Sequence, residues 1–117
     1  MRVTSAIWVS AYVRRCHIEG AFAVVRRRGA AEAGAIFVKL DRLDGTAALF
    51  APAPQSMIEE TGFLDRQFEQ VAAGESSEAI ETRLARELRF DPDLWVVEVE
   101  DRQGRHFLDL VKSPEAR

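Results

Sequence analysis

Cys16 and His17 stand side by side, a thiol next to an imidazole, and a second imidazole, His106, lies near the other end of the chain. Such a pair could serve as nucleophile and base if the sulfur reached the ring. On a helix, however, adjacent side chains point about 100° apart and do not face each other. Adjacency therefore argues against a dyad, and Cys16 reads instead as a small buried hydrophobe. Asp91 and Asp93 flank Pro92 and could act as paired carboxylates for a metal or for acid/base work, with Glu87 one helical turn ahead. The same Asp-Pro-Asp is ordinary turn chemistry between two elements. No spacing among Cys16, His17, Glu87, Asp91, Asp93 and His106 matches a named mechanism. One cysteine and two histidines exclude a Cys/His zinc spacing and an internal disulfide, and no metal or cofactor is expected.

Cations are the other chemical resource. Residues 1–50 hold eight Arg/Lys against four Asp/Glu, a net of +4, whereas residues 51–117 hold eight against fifteen, a net of −7. Arg14, Arg15, Arg26, Arg27, Arg28, Lys39 and Arg42 are the candidate binding residues for an anionic partner, nucleic acid above all, with Trp8 or Tyr12 available to stack on bases. Against this stand a pI near 5.4, where nucleic-acid-binding domains often exceed about 9, and a helical phase that turns Trp8 and Tyr12 inward. In a strand Arg26 and Arg28 would share one face and Arg27 the other, so the triplet also reads as a charged edge that discourages sheet-to-sheet pairing. Opposite net charges in the two halves point first to internal pairing or self-association.

The elements that must position these groups follow from periodicity. Trp8, Val9, Tyr12, Val13 and Cys16 fall within one arc and predict a helix from Thr4 to Ile18, capped by Thr4 or Ser5 and ended by Gly20. Phe22 to Arg28 reads as a short strand. Ile36, Val38 and Leu40 alternate with Lys39 and Asp41, and Asp44-Gly45 supplies the turn of a hairpin returning over Thr46 to Ala51. Pro52-Ala53-Pro54 ends the sheet there.

Phe63 to Val71 fits helix or edge strand; the strand is preferred, with Ala72-Ala73-Gly74 leading into the next helix. That helix carries Ile80, Leu84 and Leu88 on one stripe and must stop near Phe90, because Pro92 pushes Asp91 out of the helical region. Leu94 to Glu100 is expected as a central strand, its Trp95 face packed on the Ile80 stripe. Arg105 to Val111 is expected to return beside it through the Asp101–Gly104 turn.

The order α-β-β-β-β-α-β-β predicts one α+β domain over residues 1–117, a mostly antiparallel sheet of five to six strands covered by two helices. At 47% hydrophobic and 30% charged the composition is that of a soluble globular protein. No apolar run approaches the roughly 20 residues of a membrane span. The Val3–Val13 run makes a poor cleaved leader with Arg14, Arg15 and Glu19 behind it, so a cytoplasmic protein without membrane contact is expected.

Trp8-Val9-Ser10-Ala11 with Arg14-Arg15, then Ala33 to Lys39, Ala51-Pro52-Ala53-Pro54-Gln55, and above all Arg86 to Glu98 resemble the short alphaproteobacterial proteins grouped as a domain of unknown function. The likeness spans nearly the whole chain. It implies a small bacterial protein without an assigned activity and transfers no site residue. The function expected is a non-enzymatic binding or protein-interaction module that self-associates, as a homodimer or with an unknown protein partner. Nucleic-acid binding is the alternative, and a small enzyme without a recognisable motif comes third.

Overall fold

A computed structural model of the chain describes residues 3–57 and 66–111. Helix α1 (Ser5–Ile18) begins where Thr4 turns extended and its hydroxyl accepts the Ile7 N–H. It is followed by β1 (Phe22–Arg27), β2 (Ile36–Asp41), β3 (Thr46–Pro52), a 3-10 turn (Gln55–Met57), β4 (Gln67–Ser76), α2 (Ser77–Phe90), β5 (Trp95–Glu100) and β6 (Asp109–Leu110). The six strands form one sheet in the order β1-β5-β2-β3-β4-β6. As the composition and periodicity require, this is an α+β protein with a helix on each face.

The two strands of the expected hairpin pair antiparallel, but the turn is a three-residue loop, Leu43-Asp44-Gly45, and not Asp44-Gly45 alone: the Arg42 N–H donates to the Thr46 carbonyl, and Leu43 (φ 63°) and Gly45 (φ +92°) take the left-handed positions. Helix α2 ends at Phe90, and Asp91 beyond it is extended, with its carboxylate accepting the Asp93 N–H in a local turn. Its N-cap is Ser76, whose hydroxyl accepts the Ala79 N–H.

Four further expectations require correction. The sheet is mixed, because β5 lies parallel to β2 and β6 parallel to β4. Connection lengths misled here: α2 is a crossover that carries the chain back to insert β5 between β1 and β2. With both its edges occupied, β5 has no place for the 105–111 segment, which crosses the sheet and adds only Asp109–Leu110 to the far edge.

The third correction concerns layers. Trp95, Val97 and Val99 face α1, packing with Val9, Tyr12 and Cys16, while α2 sets Ile80 and Leu84 against Phe37, Leu49 and Val96. A strand flanked on both sides is apolar on both faces near its start, so the Trp95 face was not the only one needing cover. The fourth is β4, which runs through Ala72-Ala73-Gly74 to Ser76, because β3 offers it a template over the whole of Thr46–Pro52. The strand preference for the segment before Val71 holds from Gln67 onward; its first residues, 63–65, lie outside the described residues. No helix among the described residues is long and apolar enough to cross a membrane.

Candidate binding cleft

Residues 8, 11, 12 and 15 of α1 recur at helical spacing and share one stripe. The stripe runs obliquely over the core, so Tyr12 is buried while Trp8 is only half-buried and Arg15 is exposed. Trp8 stacks on Tyr12 with ring centres 4.9 Å apart and planes at 14°, and tilts against Phe68 at 5.2 Å. Opposite this stripe passes the segment that links β5 to β6. Trp8, Ala11, Tyr12 and Arg15 on one side, and Arg66, Phe107, Leu108 and Asp109 on the other, enclose an open cleft of about 450 Å³.

Residues 105–108 of the far wall are held by side-chain bonds, and sheet pairing takes over only at Asp109. The Asp101 carboxylate takes the Arg105 guanidinium through Nη2 at 2.8 Å and Nε at 3.0 Å, and accepts the Arg105 backbone N–H at 2.8 Å. This clasp holds the Asp101 carboxyl down at about 2. The Tyr12 hydroxyl donates to the His106 carbonyl at 2.6 Å, and the Leu108 N–H donates to His106 Nδ1 at 2.9 Å. The imidazole proton therefore resides on Nε2, and burial lowers the basicity of the ring. Between them Phe107 is forced to φ 57°, a left-handed conformation that costs a bulky residue about 1–2 kcal/mol. Arg66 completes the wall and donates through Nη2 to the Val3 carbonyl at 3.1 Å.

The groups that suggested covalent chemistry are not brought together. Cys16 is fully buried, its thiol pushed up chiefly by desolvation, and Tyr12 beside it is raised by the same burial. His17 points elsewhere, its Nε2 2.9 Å from the Ala23 carbonyl oxygen. His106 lies against Phe50, with ring centres 5.1 Å apart. Among the described residues no three His, Cys, Asp or Glu side chains gather as a metal site.

Nor do the seven cations share a surface. Arg14 and Arg15 are exposed on α1. Arg26 and Lys39 lie on the opposite face of the sheet, inside an ion-pair network. Arg26 Nη1 meets Glu81 and Glu98 at 2.7 Å each, and the buried Lys39 Nζ meets Glu81 and the Ser77 hydroxyl at 2.6 Å each. Two cations hold the Glu81 carboxyl at about 2, the Arg26 hydrogen bonds contributing most. Arg27 donates to the Pro92 carbonyl, Arg28 lies 5.1 Å over the Trp95 ring, and Arg42 packs beside Gly104.

Sequence reasoning named Trp8, Tyr12 and Arg15 but missed Arg66, Phe107, Leu108 and Asp109. Their only signal in the sequence was a cation extending an otherwise apolar helical stripe.

Two helices on opposite faces of this mixed sheet are shared with a group of bacterial proteins, and the family model matches over residues 3–109: the chain belongs to DUF1491, a family of proteins of unknown function. It is similar to an A. tumefaciens protein solved in solution, at 45% identity and a TM-score of 0.81, over 99% of this chain and 100% of that one. It is also similar to a DUF1491 protein of Caulobacter crescentus CB15. The crystal structure of that protein gives 41% identity and a TM-score of 0.78 over 96% and 100% of the two chains. Its NMR structure gives 42% identity and 0.77 over 96% and 99%. None of the curated proteins matches the chain.

Proposed function

We propose that the chain is a non-enzymatic binding module whose ligand site is the cleft between α1 and the segment 105–109. One observation carries this reading: the half-buried Trp8 and the exposed Arg15 face a wall that holds Phe107 in a strained backbone conformation. Leu43 takes the same backbone conformation in the exposed hairpin turn, but at Phe107 it is imposed by the bonds to His106 and Leu108 on either side, and strain held in that way concentrates at ligand sites. A mixed polar and apolar concavity of this size is the usual form of a small-molecule site. A thiol that is buried and raised does not supply a nucleophile, which favours binding over catalysis.

A thermal-shift screen against a chemically diverse library tests the reading. Compounds that raise the melting temperature of the wild type but not of Trp8→Ala support it. Hits indifferent to Trp8→Ala would overturn it.

Self-association is a second reading, carried by Phe22 and Val24, which are 55% and 41% exposed on β1, the strand at one edge of the sheet. Light scattering checks it. A dimer that Val24→Lys dissolves supports it, and a strict monomer at high concentration ends it. Nucleic-acid binding ranks below both, because Arg26 and Lys39 already have carboxylate partners.

A further inference from the structure

We infer that the cleft takes a small planar monoanion, an aromatic or heteroaromatic ring bearing a single carboxylate or sulfonate. The ring lies on Trp8 and the acid on Arg15. This rests on the reading of the cleft as the ligand site and adds the chemistry of what fills it.

Three observations lead there. First, Trp8 is stacked on Tyr12 and tilted against Phe68, and the part of the indole that these two rings leave uncovered lines the cleft together with Ala11, Phe107 and Leu108. A flat ring is the shape that such an aromatic and aliphatic slot accepts. Second, Arg15 lies two helical turns beyond Trp8 on the same stripe and enters none of the ion pairs among the described residues. Arg26, Lys39 and Arg105 are all paired. A guanidinium beside an aromatic surface recognises a planar oxyanion through two parallel N–H donors. Third, the Asp109 carboxylate stands in the same lining, its Oδ2 3.4 Å from the Gln67 side-chain amide. Set against Arg15 and the second guanidinium of the lining, Arg66, which donates to the Val3 carbonyl, it leaves an excess of one positive charge, which suits a monoanion better than a dianion or polyphosphate.

The molecule carries its own reporters. The Trp95 indole N–H donates to the Ala30 carbonyl at 2.8 Å inside the core, while Trp8 lines the cleft. Heteronuclear NMR of the two indole N–H resonances therefore separates binding in the cleft from general perturbation.

The probes are naphthalene sulfonate and its neutral analogue naphthalene sulfonamide, with acrylamide quenching of Trp8 fluorescence, read against Trp8→Phe, as a measure of access. The expected result is a saturable shift of the Trp8 signal by the sulfonate, little shift by the sulfonamide, and a stationary Trp95 signal. Arg15→Gln weakens the sulfonate by roughly tenfold, the loss of one charge-assisted contact, and Asp109→Asn tightens it. An unmoved Trp95 resonance in both variants certifies their fold.

Equal shifts by both probes would leave the cleft as a ligand site but overturn its preference for an anion. No shift by either probe, with acrylamide still reaching Trp8, would overturn the ligand class alone. Acrylamide quenching that Trp8→Phe does not reduce would mean a closed cleft, and both readings would fall.

Discussion

On the α2 side of the sheet, cations meet anions inside the molecule: Lys39 and Arg26 share Glu81, and Arg26 also takes Glu98. On the α1 side, Arg15 lies on the same stripe as Trp8 and finds no such partner among the described residues, while its helix packs the core with Val9, Tyr12 and Cys16. The same residue types thus do different work. A charge whose partner is supplied by the fold fastens a helix to a sheet; one left facing a concavity is available to something outside. Composition cannot separate these roles, since both arginines belong to the same basic half of the chain.

The contrast is most directly broken on the α2 side. Glu81→Ala leaves the buried Lys39 with only the Ser77 hydroxyl and Glu98 at 3.9 Å. Stranding a buried charge costs several kcal/mol, and the half-exposed Glu81 reduces that to about 2 kcal/mol. Lys39→Met removes the stranded charge itself and is expected to cost less, about 1 kcal/mol. Urea denaturation of both variants checks the order, and a Lys39→Met loss exceeding that of Glu81→Ala would mean the lysine stabilises in its own right.

Strong acid then loads both sides in one window. Glu81 falls from the ordinary 4.5 to about 2 and Asp101 from 3.8 to about 2 on folding. A depressed carboxyl contributes stability above its unfolded value that is lost as pH falls through its folded one. Melting temperature should therefore drop as pH goes from 4.5 toward 2, and less steeply in Glu81→Gln.

His106 acts earlier. Burial lowers it from 6.5, so its contribution is complete above 6.5 and declines as pH falls below that value, when protonation removes the acceptor for the Leu108 N–H. Line broadening of the 105–108 amides in mildly acidic solution, while the α2 amides stay sharp, is the expected observation. A smaller effect belongs to Arg28→Ala, where loss of the stacking over Trp95 costs about 0.5–1 kcal/mol. Arg14→Ala should fall within about 0.5 kcal/mol of the wild type.

Much of this fold can be read from local signals. Asp44-Gly45 between two apolar runs specifies the hairpin, Thr4 and Ser76 cap the two helices, and Pro92 ends the second. What local signals do not carry is which strand lies beside which. Nothing near Trp95 announces that β5 slides between β1 and β2, and because alternate residues face opposite sides, that placement decides whether Trp95 or Val96 meets α2. The cleft was half legible for the same reason. Its α1 wall comes from one helical stripe, but Arg66, Phe107 and Asp109 reach it from distant parts of the chain, brought there by a crossing segment that reads like a returning strand.

The insertion of β5 also bears on how the molecule is made. Phe22 to Val25 has no ladder partner until Val97 to Glu100 has been synthesised, and β2 waits on the same residues for its second neighbour. During translation β1 waits unpaired, and β2 with one edge open, while the residues up to β5 are added, so assembly depends on a late, sequence-distant pairing. The arginines at the end of β1 would then protect the nascent chain from aggregating as much as they serve the finished protein.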